Sequence, residues 1–414
     1  MQTHLSAEFA QTPEGEEASG ILRKCVHCGF CNATCPTYQL LGDELDGPRG
    51  RIYLIKQVLE GAPVTRSTQL HLDRCLTCLN CETTCPSGVK YGDLVEIGRK
   101  LVEERVERPA TEKAARWMLK EGMTSPLFAP AMAVGKALRP LLPKLLRDKV
   151  PAATPARDAK RIPLTPHRRK ILMLRGCVQP SMLPNIDRAA ARVLDAAGIQ
   201  VIEAAGTGCC GALRTHLSDH AGGLADMRRN IDAWIAVLDT TEVEAIVSSA
   251  SACQLAIKDY AHAFAHDAVY ADKAARISAL ARDLSELLPD LDSALEGKCK
   301  PGASGKPQRT VFHAPCTLQH GQQLRGGVET HLRALGFDVT APVTEAHLCC
   351  GSAGTYSVLQ PELAGQLRDR KLKNIAASEP QCILSANVGC IQHLQSGTSI
   401  PVKHWIEMLD AALD

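Results

Sequence analysis

The sequence predicts an α+β chain: a helical N-terminal domain built on two cysteine clusters, then two duplicated α/β units with mainly parallel sheets. Three observations carry this expectation. Cysteine runs of identical spacing occur twice before residue 90, a second cysteine pattern recurs about 140 residues apart after residue 170, and short apolar runs alternate with helical stretches across both copies.

Composition sets the bounds. The chain has 414 residues, enough for two or three domains, with 45% apolar and 22% charged residues as in ordinary globular proteins. A net charge of +2 and only 4% aromatic residues argue against nucleic acid as a partner. Eighteen cysteines are unusual. Residues 1–24 hold no apolar run suited to a secretory signal, and no stretch is long and apolar enough for a transmembrane helix. The cysteines are therefore expected in a reducing cytoplasm, as metal ligands or redox centres rather than a disulfide framework.

Residues 1–20 read as a polar lead-in. Residues 21–110 form the first domain, Cys25-x2-Cys28-x2-Cys31-x3-Cys35-Pro36 and Cys75-x2-Cys78-x2-Cys81-x3-Cys85-Pro86, with Arg51–Glu60 helical between them. Three thiolates on one tight loop wrap three corners of a cubane, and the fourth comes from the other run. That rule assigns Cys25, Cys28, Cys31 and Cys85 to one [4Fe–4S] cluster, and Cys75, Cys78, Cys81 and Cys35 to a second. Tetrahedral zinc is the competing use of paired cysteines, but it does not call for three thiolates at successive x2 spacings plus Cys-Pro, twice over. Two neighbouring clusters make a relay for single electrons in a ferredoxin-like domain. No G-x-G-x-x-G follows a strand and no G-x-x-x-x-G-K-[ST] is present, so flavin chemistry is expected on a partner chain.

Residues 111–168 read as a helical and then basic, proline-rich linker, with Pro126 and Pro130 interrupting the helix. Eleven Lys/Arg and six prolines fall between 136 and 170, which suits a solvated linker; Leu138–Val150 also suits a helix lying on anionic lipid or a partner.

The units span 169–295 and 308–414. Cys316, Cys350 and Cys390 follow Cys177, Cys210 and Cys253 by 139, 140 and 137 residues. Strands are expected at Ile171–Leu174, Gln200–Ala204 and Glu244–Ser249, and again at Val311–His313, Asp338–Val343 and Cys382–Ala386. Cys177, Cys209, Cys210 and Cys253, with Cys316, Cys349, Cys350 and Cys390, form a further redox or cluster site. A third iron–sulfur centre, a dithiol pair, an acceptor lining, labile vicinal disulfides and buried packing all stand open for them. Cys299 and Cys382 have no counterpart in the other copy and read as structural; His313, His320 and His347 flank the second unit's thiols and read as packed or surface groups, with proton-coupled transfer as the alternative.

The motifs CVHCGFCNATCPTYQLLGDELDGPRGRIYLIKQVLEG (25–61), HLDRCLTCLNCETTCPSG (71–88), HLCCGSAGTY (347–356) and VKHWIEML (402–409) resemble the glycolate oxidase iron–sulfur subunits. The resemblance implies FAD-binding partner subunits that oxidise glycolate to glyoxylate, with a quinone or similar acceptor. It also implies a cytoplasmic complex at the inner face of a bacterial membrane. Equivalent subunits for lactate or glycerol-3-phosphate, and a heterodisulfide-reductase-like thiol protein, are the alternatives. Against the last, the C-x2-C that usually closes each unit of that family is broken by Ala250 and Asn387, which puts a five-cysteine cluster in doubt.

Overall fold

A computed structural model describes residues 1–143, 147–152, 162–163, 165–302 and 307–413. Helices fill the N-terminal third: α1 (Pro13–Lys24), α2 (Phe30–Ala33), α3 (Pro36–Leu41), α4 (Pro48–Leu59), α5 (Arg66–Asp73), α6 (Asn80–Thr84), α7 (Tyr91–Arg105), α8 (Ala110–Thr124) and α9 (Phe128–Ala137). The apolar faces of α1, α4, α5 and α7 meet in one core of Leu22, Ile55, Leu59, Leu72, Leu94 and Val95. Burial of these side chains removes apolar surface from water, which is the main drive for packing short helices that are marginal alone.

The expected polar lead-in is structured. Thr12 caps α1 by accepting from the Gly15 N–H, Pro13 sits at the first helical position, and Phe9 and Ala18 are buried. The Met1 ammonium donates to the Cys25 carbonyl at 2.8 Å, tying the terminus to the first cysteine loop. The basic segment also docks rather than staying solvated. Lys136 Nζ donates to Ser181 O at 2.8 Å, Lys149 Nζ to Ser357 O at 3.0 Å, and Gln392 Nε2 to Asp148 O at 3.0 Å. Parts of the Leu138–Val150 stretch and of the following linker lie outside the described residues.

Each unit is a four-stranded parallel sheet flanked by helices. The first has the order β2-β1-β3-β4, from β1 (Arg169–Leu174), β2 (Ile199–Ile202), β3 (Ala245–Ser248) and β4 (Ala281–Asp283). The second repeats it as β6-β5-β7-β8, from β5 (Thr310–Phe312), β6 (Val339–Thr340), β7 (Cys382–Ser385) and β8 (Val402–His404). Parallel pairing sets Ile171 opposite Val201 and Ala245, and Val311 opposite Thr340 and Ile383. The edge strands β4 and β8 escaped the sequence reading because each is three residues with no apolar run of its own.

Sheets buried on both faces need near-continuous apolar central strands, and β1, β3 and β7 supply them. The two units share a core that runs from Ile171, Met173 and Val247 to Phe312, Ile383 and Trp405. At their seam, Arg192 clasps the Asp410 carboxylate through Nε at 2.7 Å and Nη2 at 2.6 Å. The helical domain joins unit 1 through Arg214, which forks onto Glu121 at 2.9 Å on both oxygens. It joins unit 2 through Leu76, packed with Tyr356, Leu363 and Leu367.

Candidate metal centres

The loops that carry the first eight cysteines wind the same way twice. His27 (φ 55°) and Gly29 (φ 83°) in one run match Thr77 (φ 51°) and Leu79 (φ 59°) in the other. Left-handed residues before and after the middle cysteine curl each loop so that its thiols face inward. Leu79 holds this conformation without glycine's freedom, strain of a kind that tight functional loops carry.

Helix α2 packs on α6, and this brings the two runs together reciprocally. Cys31 lies in the field of Cys25, Cys85 and Cys28, and Cys81 in that of Cys78, Cys75 and Cys35. The thiols therefore form two groups, each with one member from the other run. Burial, then the neighbouring Cys25 charge, pushes the Cys31 thiol up to about 11; burial pushes Cys81 well above the ordinary thiol range. A small cavity walled by Ile52, Val89, Pro48 and Pro86 borders Cys25, Cys28, Cys31, Cys81 and Cys85. Among the described residues, no three of these eight thiols have sulfurs all within 4.8 Å of one another. A tetrahedral zinc ion with bonds of about 2.3 Å would draw its sulfurs to roughly 3.8 Å apart.

A buried cation completes this domain, and the sequence reading missed it. Arg51 is 1% exposed and donates to His71 O at 2.7 Å, Thr37 Oγ1 at 3.2 Å and Asp46 Oδ1 at 3.4 Å. Its charge acts on Cys75 and Cys35, while Arg74 Nη1 holds the other Asp46 oxygen at 2.9 Å. A positive group of this kind offsets a net-negative thiolate-bound cluster. One arginine in a basic-looking stretch carries no sequence signal of burial.

In the units, the cysteines gather at the C-terminal ends of the strands, where loops converge in open parallel sheets. Cys209 meets both Cys177 and Cys210, and Cys210 meets Cys253, in a row of thiol hydrogen bonds. The same row recurs as Cys316–Cys349–Cys350–Cys390. Within the first, hydrogen bonds from the Cys177 and Cys210 thiols and from the Gly211 and Leu213 N–H groups hold Cys209 below the ordinary thiol range. The glycine after each cysteine pair has a steric reason. Gly211 (φ 92°) and Gly351 (φ 88°) are left-handed, and an added Cβ would stand 2.8 Å from Gly223 O and 2.6 Å from Ala364 O.

Both rows border one cleft of about 1,610 Å³, together with Cys75 and Cys78 of the helical domain. Ala250 and Asn387, where the first cysteine of each C-x2-C is replaced, sit at the seam of the units. Asn387 accepts from the Ala252 N–H at 3.1 Å and donates to Thr317 Oγ1 at 2.9 Å. His320 also ties elements together: it pairs with Thr83 Oγ1 at 3.0 Å and donates to His347 O at 2.8 Å. Burial depresses its pKa to about 4, so it is a neutral pin between the helical domain and unit 2. His347 is exposed, whereas His313 is buried beside Cys350 and Cys390. Cys382 lies within β7 and Cys299 makes an antiparallel bridge with Leu413.

The fold and these cysteine groups define a dicluster iron–sulfur protein with two cysteine-rich domains. The family described as the 4Fe-4S dicluster domain matches residues 21–89, and the cysteine-rich domain family matches 171–258 and 310–395. Along its whole length the chain is 52% identical to the glycolate oxidase iron-sulfur subunit of Escherichia coli (strain K12), over 100% of both chains. It is 28% identical to a probable glycolate oxidase iron-sulfur subunit of Bacillus subtilis (strain 168), over 91% of this chain and 89% of that one. Lactate utilization protein A of Exiguobacterium sp. is 23% identical over 56% of this chain and 94% of its own. The chain belongs to the glycolate oxidase iron–sulfur subunit family.

Proposed function

We propose that this chain is the electron-transfer subunit of a glycolate-oxidising complex. Cys25, Cys28, Cys31 and Cys85 hold one [4Fe–4S] cluster, and Cys75, Cys78, Cys81 and Cys35 hold the other. When bound, such clusters carry electrons one at a time and bond no substrate. The substrate site and the FAD then belong to partner subunits that convert glycolate to glyoxylate, and electrons leave toward a quinone or a similar acceptor.

The observation that carries this reading is the different surroundings of the two middle thiols, Cys28 and Cys78. Cys28 of the first group is exposed, next to Val26 at 68% and Phe30 at 60% exposure. This apolar rim suits close approach of a donor protein. Cys78 of the second faces inward, against Cys316 and the cleft. The chain thus has an entry side and an interior exit side.

Among the described residues no helix is long and apolar enough to cross a membrane. Peripheral membrane attachment is supported by Trp117, Met118, Leu127, Val134 and Leu141, all exposed on α8, on α9 and in the turns that flank α9. The glycolate reading is preferred to lactate because the resemblance to glycolate oxidase subunits covers the whole chain.

Substitution of Cys78 by serine within the assembled complex tests the relay. Glycolate should still bleach the partner flavin, while iron content falls and glycolate-driven quinone reduction stops. Sustained quinone reduction by Cys78→Ser would overturn the proposal.

A further inference from the structure

Among the described residues of unit 2, His313 has a side chain with neither polar atom partnered. His313 follows β5 directly, and its backbone is fixed: its N–H donates to Leu384 O at 2.8 Å and its carbonyl accepts from Ser385 Oγ at 2.9 Å. Its side chain is 0% exposed, and neither Nδ1 nor Nε2 has a hydrogen-bond partner. Burying such a group unpaired is costly, and folded proteins rarely leave one so. A ring nitrogen of His313 and the sulfurs of Cys350 and Cys390 all lie within 4.8 Å of one another. Zinc–sulfur bonds of about 2.3 Å and zinc–nitrogen bonds of about 2.0–2.1 Å bring such donors to roughly 3.5–3.8 Å apart. A small inward shift of the side chains closes the set.

We infer that His313 is a metal ligand, forming with Cys350 and Cys390 a nitrogen–sulfur site for a thiophilic first-row metal that unit 1 does not share. The duplication supplies the internal control. Counting back by the 139 residues that separate Cys316 from Cys177 places Leu174 at the position of His313. The sheet agrees, since Leu174 pairs with Ser248 at the end of β1, as His313 follows Phe312, which pairs with Leu384 beside Ser385. Leu174 is 1% exposed, so unit 1 fills the same buried space with a side chain that cannot ligate.

A second difference points the same way. The glycines after the two cysteine pairs are 140 residues apart, and the same step relates Lys371 to Ile231. Lys371 is 1% exposed and its ammonium donates to the Glu345 and Ala346 carbonyls. Its charge reaches Cys316, Cys350 and Cys349. Unit 2 therefore encloses an imidazole and an ammonium where unit 1 encloses leucine and isoleucine. Buried lysine is costly without negative charge to meet it, and metal-bound thiolates supply that charge. Burial and Lys371 also keep the His313 ring neutral, with a free lone pair for a metal.

The test uses the full chain, purified anaerobically and labelled with 15N-histidine. Iron and zinc are quantified, and the ligands are read by X-ray absorption at the edge of each metal found and by nitrogen hyperfine coupling where iron is paramagnetic. The expected result is one imidazole nitrogen on a metal, zinc and iron being told apart by the edge. His313→Leu, which installs the unit 1 residue, should lose that nitrogen signal and that metal while the iron of the N-terminal groups stays. His313→Cys should restore the metal with a sulfur-only shell. A sulfur-only shell on every metal of the unsubstituted chain would overturn the assignment, and needs no variant to fold. So would a His313→Leu chain that keeps the nitrogen signal. Loss of N-terminal iron with nitrogen ligation intact would count against the relay and leave His313 assigned.

Discussion

Cys78 packs against the apolar cluster that holds Cys316, although the two are 238 positions apart in the chain. The first belongs to the second ferredoxin-type loop and the second opens the thiol row of unit 2. In unit 1 the corresponding Cys177 thiol neighbours Cys209 and Cys253. An electron that reaches the inner thiol group therefore has a direct contact into unit 2.

Cys316→Ser should accordingly separate assembly from transfer. Serine is similar in size, so the two N-terminal groups should keep their iron. Glycolate-driven quinone reduction by the complex should fall by ~10-fold or more, equivalent to about 1.4 kcal/mol or more on the barrier. Stopped-flow reduction of the inner cluster should be unchanged. An unaltered turnover would exclude Cys316 from the exit path.

Arg51 makes a second prediction. Arg51→Met removes one partner of the buried Asp46 and leaves Arg74 and His71 on the carboxylate. Breaking a buried pair in this way costs about 3–5 kcal/mol, and the two remaining partners place this case at the low end. Loss of a positive charge near Cys35 and Cys75 should also make the inner cluster harder to reduce. Chemical denaturation and a redox titration followed by electron paramagnetic resonance would check both. A midpoint potential equal to that of the unsubstituted chain would show that the arginine serves packing only.

What the sequence made legible follows from how local each feature is. The two N-terminal cysteine runs stood out because a cubane is expected to take most of its thiols from one tight loop, so geometry becomes spacing. The strands β1, β3, β5 and β7 were readable because central parallel strands need apolar runs. Arg51, Lys371 and the isolation of His313 were not, because burial of a single polar residue depends on partners from distant segments. The lead-in misled for the same reason: Phe9 and Ala18 are too few to announce a packed face among glutamates and threonines. Asn387 was visible as a missing cysteine, but its role in joining two units exists only in three dimensions.

Two glycines should respond in opposite directions. At Gly351, alanine meets both a left-handed backbone and the Ala364 carbonyl, with loss of about 1–3 kcal/mol from the strain alone. Unit 2 should lose thiol order, read as lowered metal content. At Gly20, inside α1, an added Cβ meets nothing within 4 Å. Gly20→Ala should stabilise by roughly 0.5–1 kcal/mol, the usual gain at an exposed helix interior. Urea unfolding of both variants would decide, and a neutral Gly351→Ala would refute the steric account of the Cys-Cys-Gly turn.

His404 contributes to the response to acid. The ring is 0% exposed, donates from Nε2 to Ser249 O in unit 1 at 2.8 Å, and accepts at Nδ1 from the Ile406 N–H at 3.1 Å. Both bonds need the neutral ring, and burial depresses its pKa to about 3 from an ordinary 6.5. Because the folded value lies below the unfolded one, this contribution to stability is complete above pH 6.5 and is lost as pH falls toward 3. The slope is at most about 1.4 kcal/mol per pH unit. His404→Asn keeps a cap for the helix Trp405–Ala411 but gives up the bond to Ser249 and the titration. The variant should be less stable by about 1 kcal/mol at pH 7.5, and should equal or exceed the unsubstituted chain at pH 5. Trp405, whose ring centroid lies 5.6 Å from that of His404, provides the fluorescence signal for urea titrations at the two pH values. Parallel pH dependences for the two proteins would mean that His404 does not titrate across the unfolding transition, and the acid response would then belong to another group.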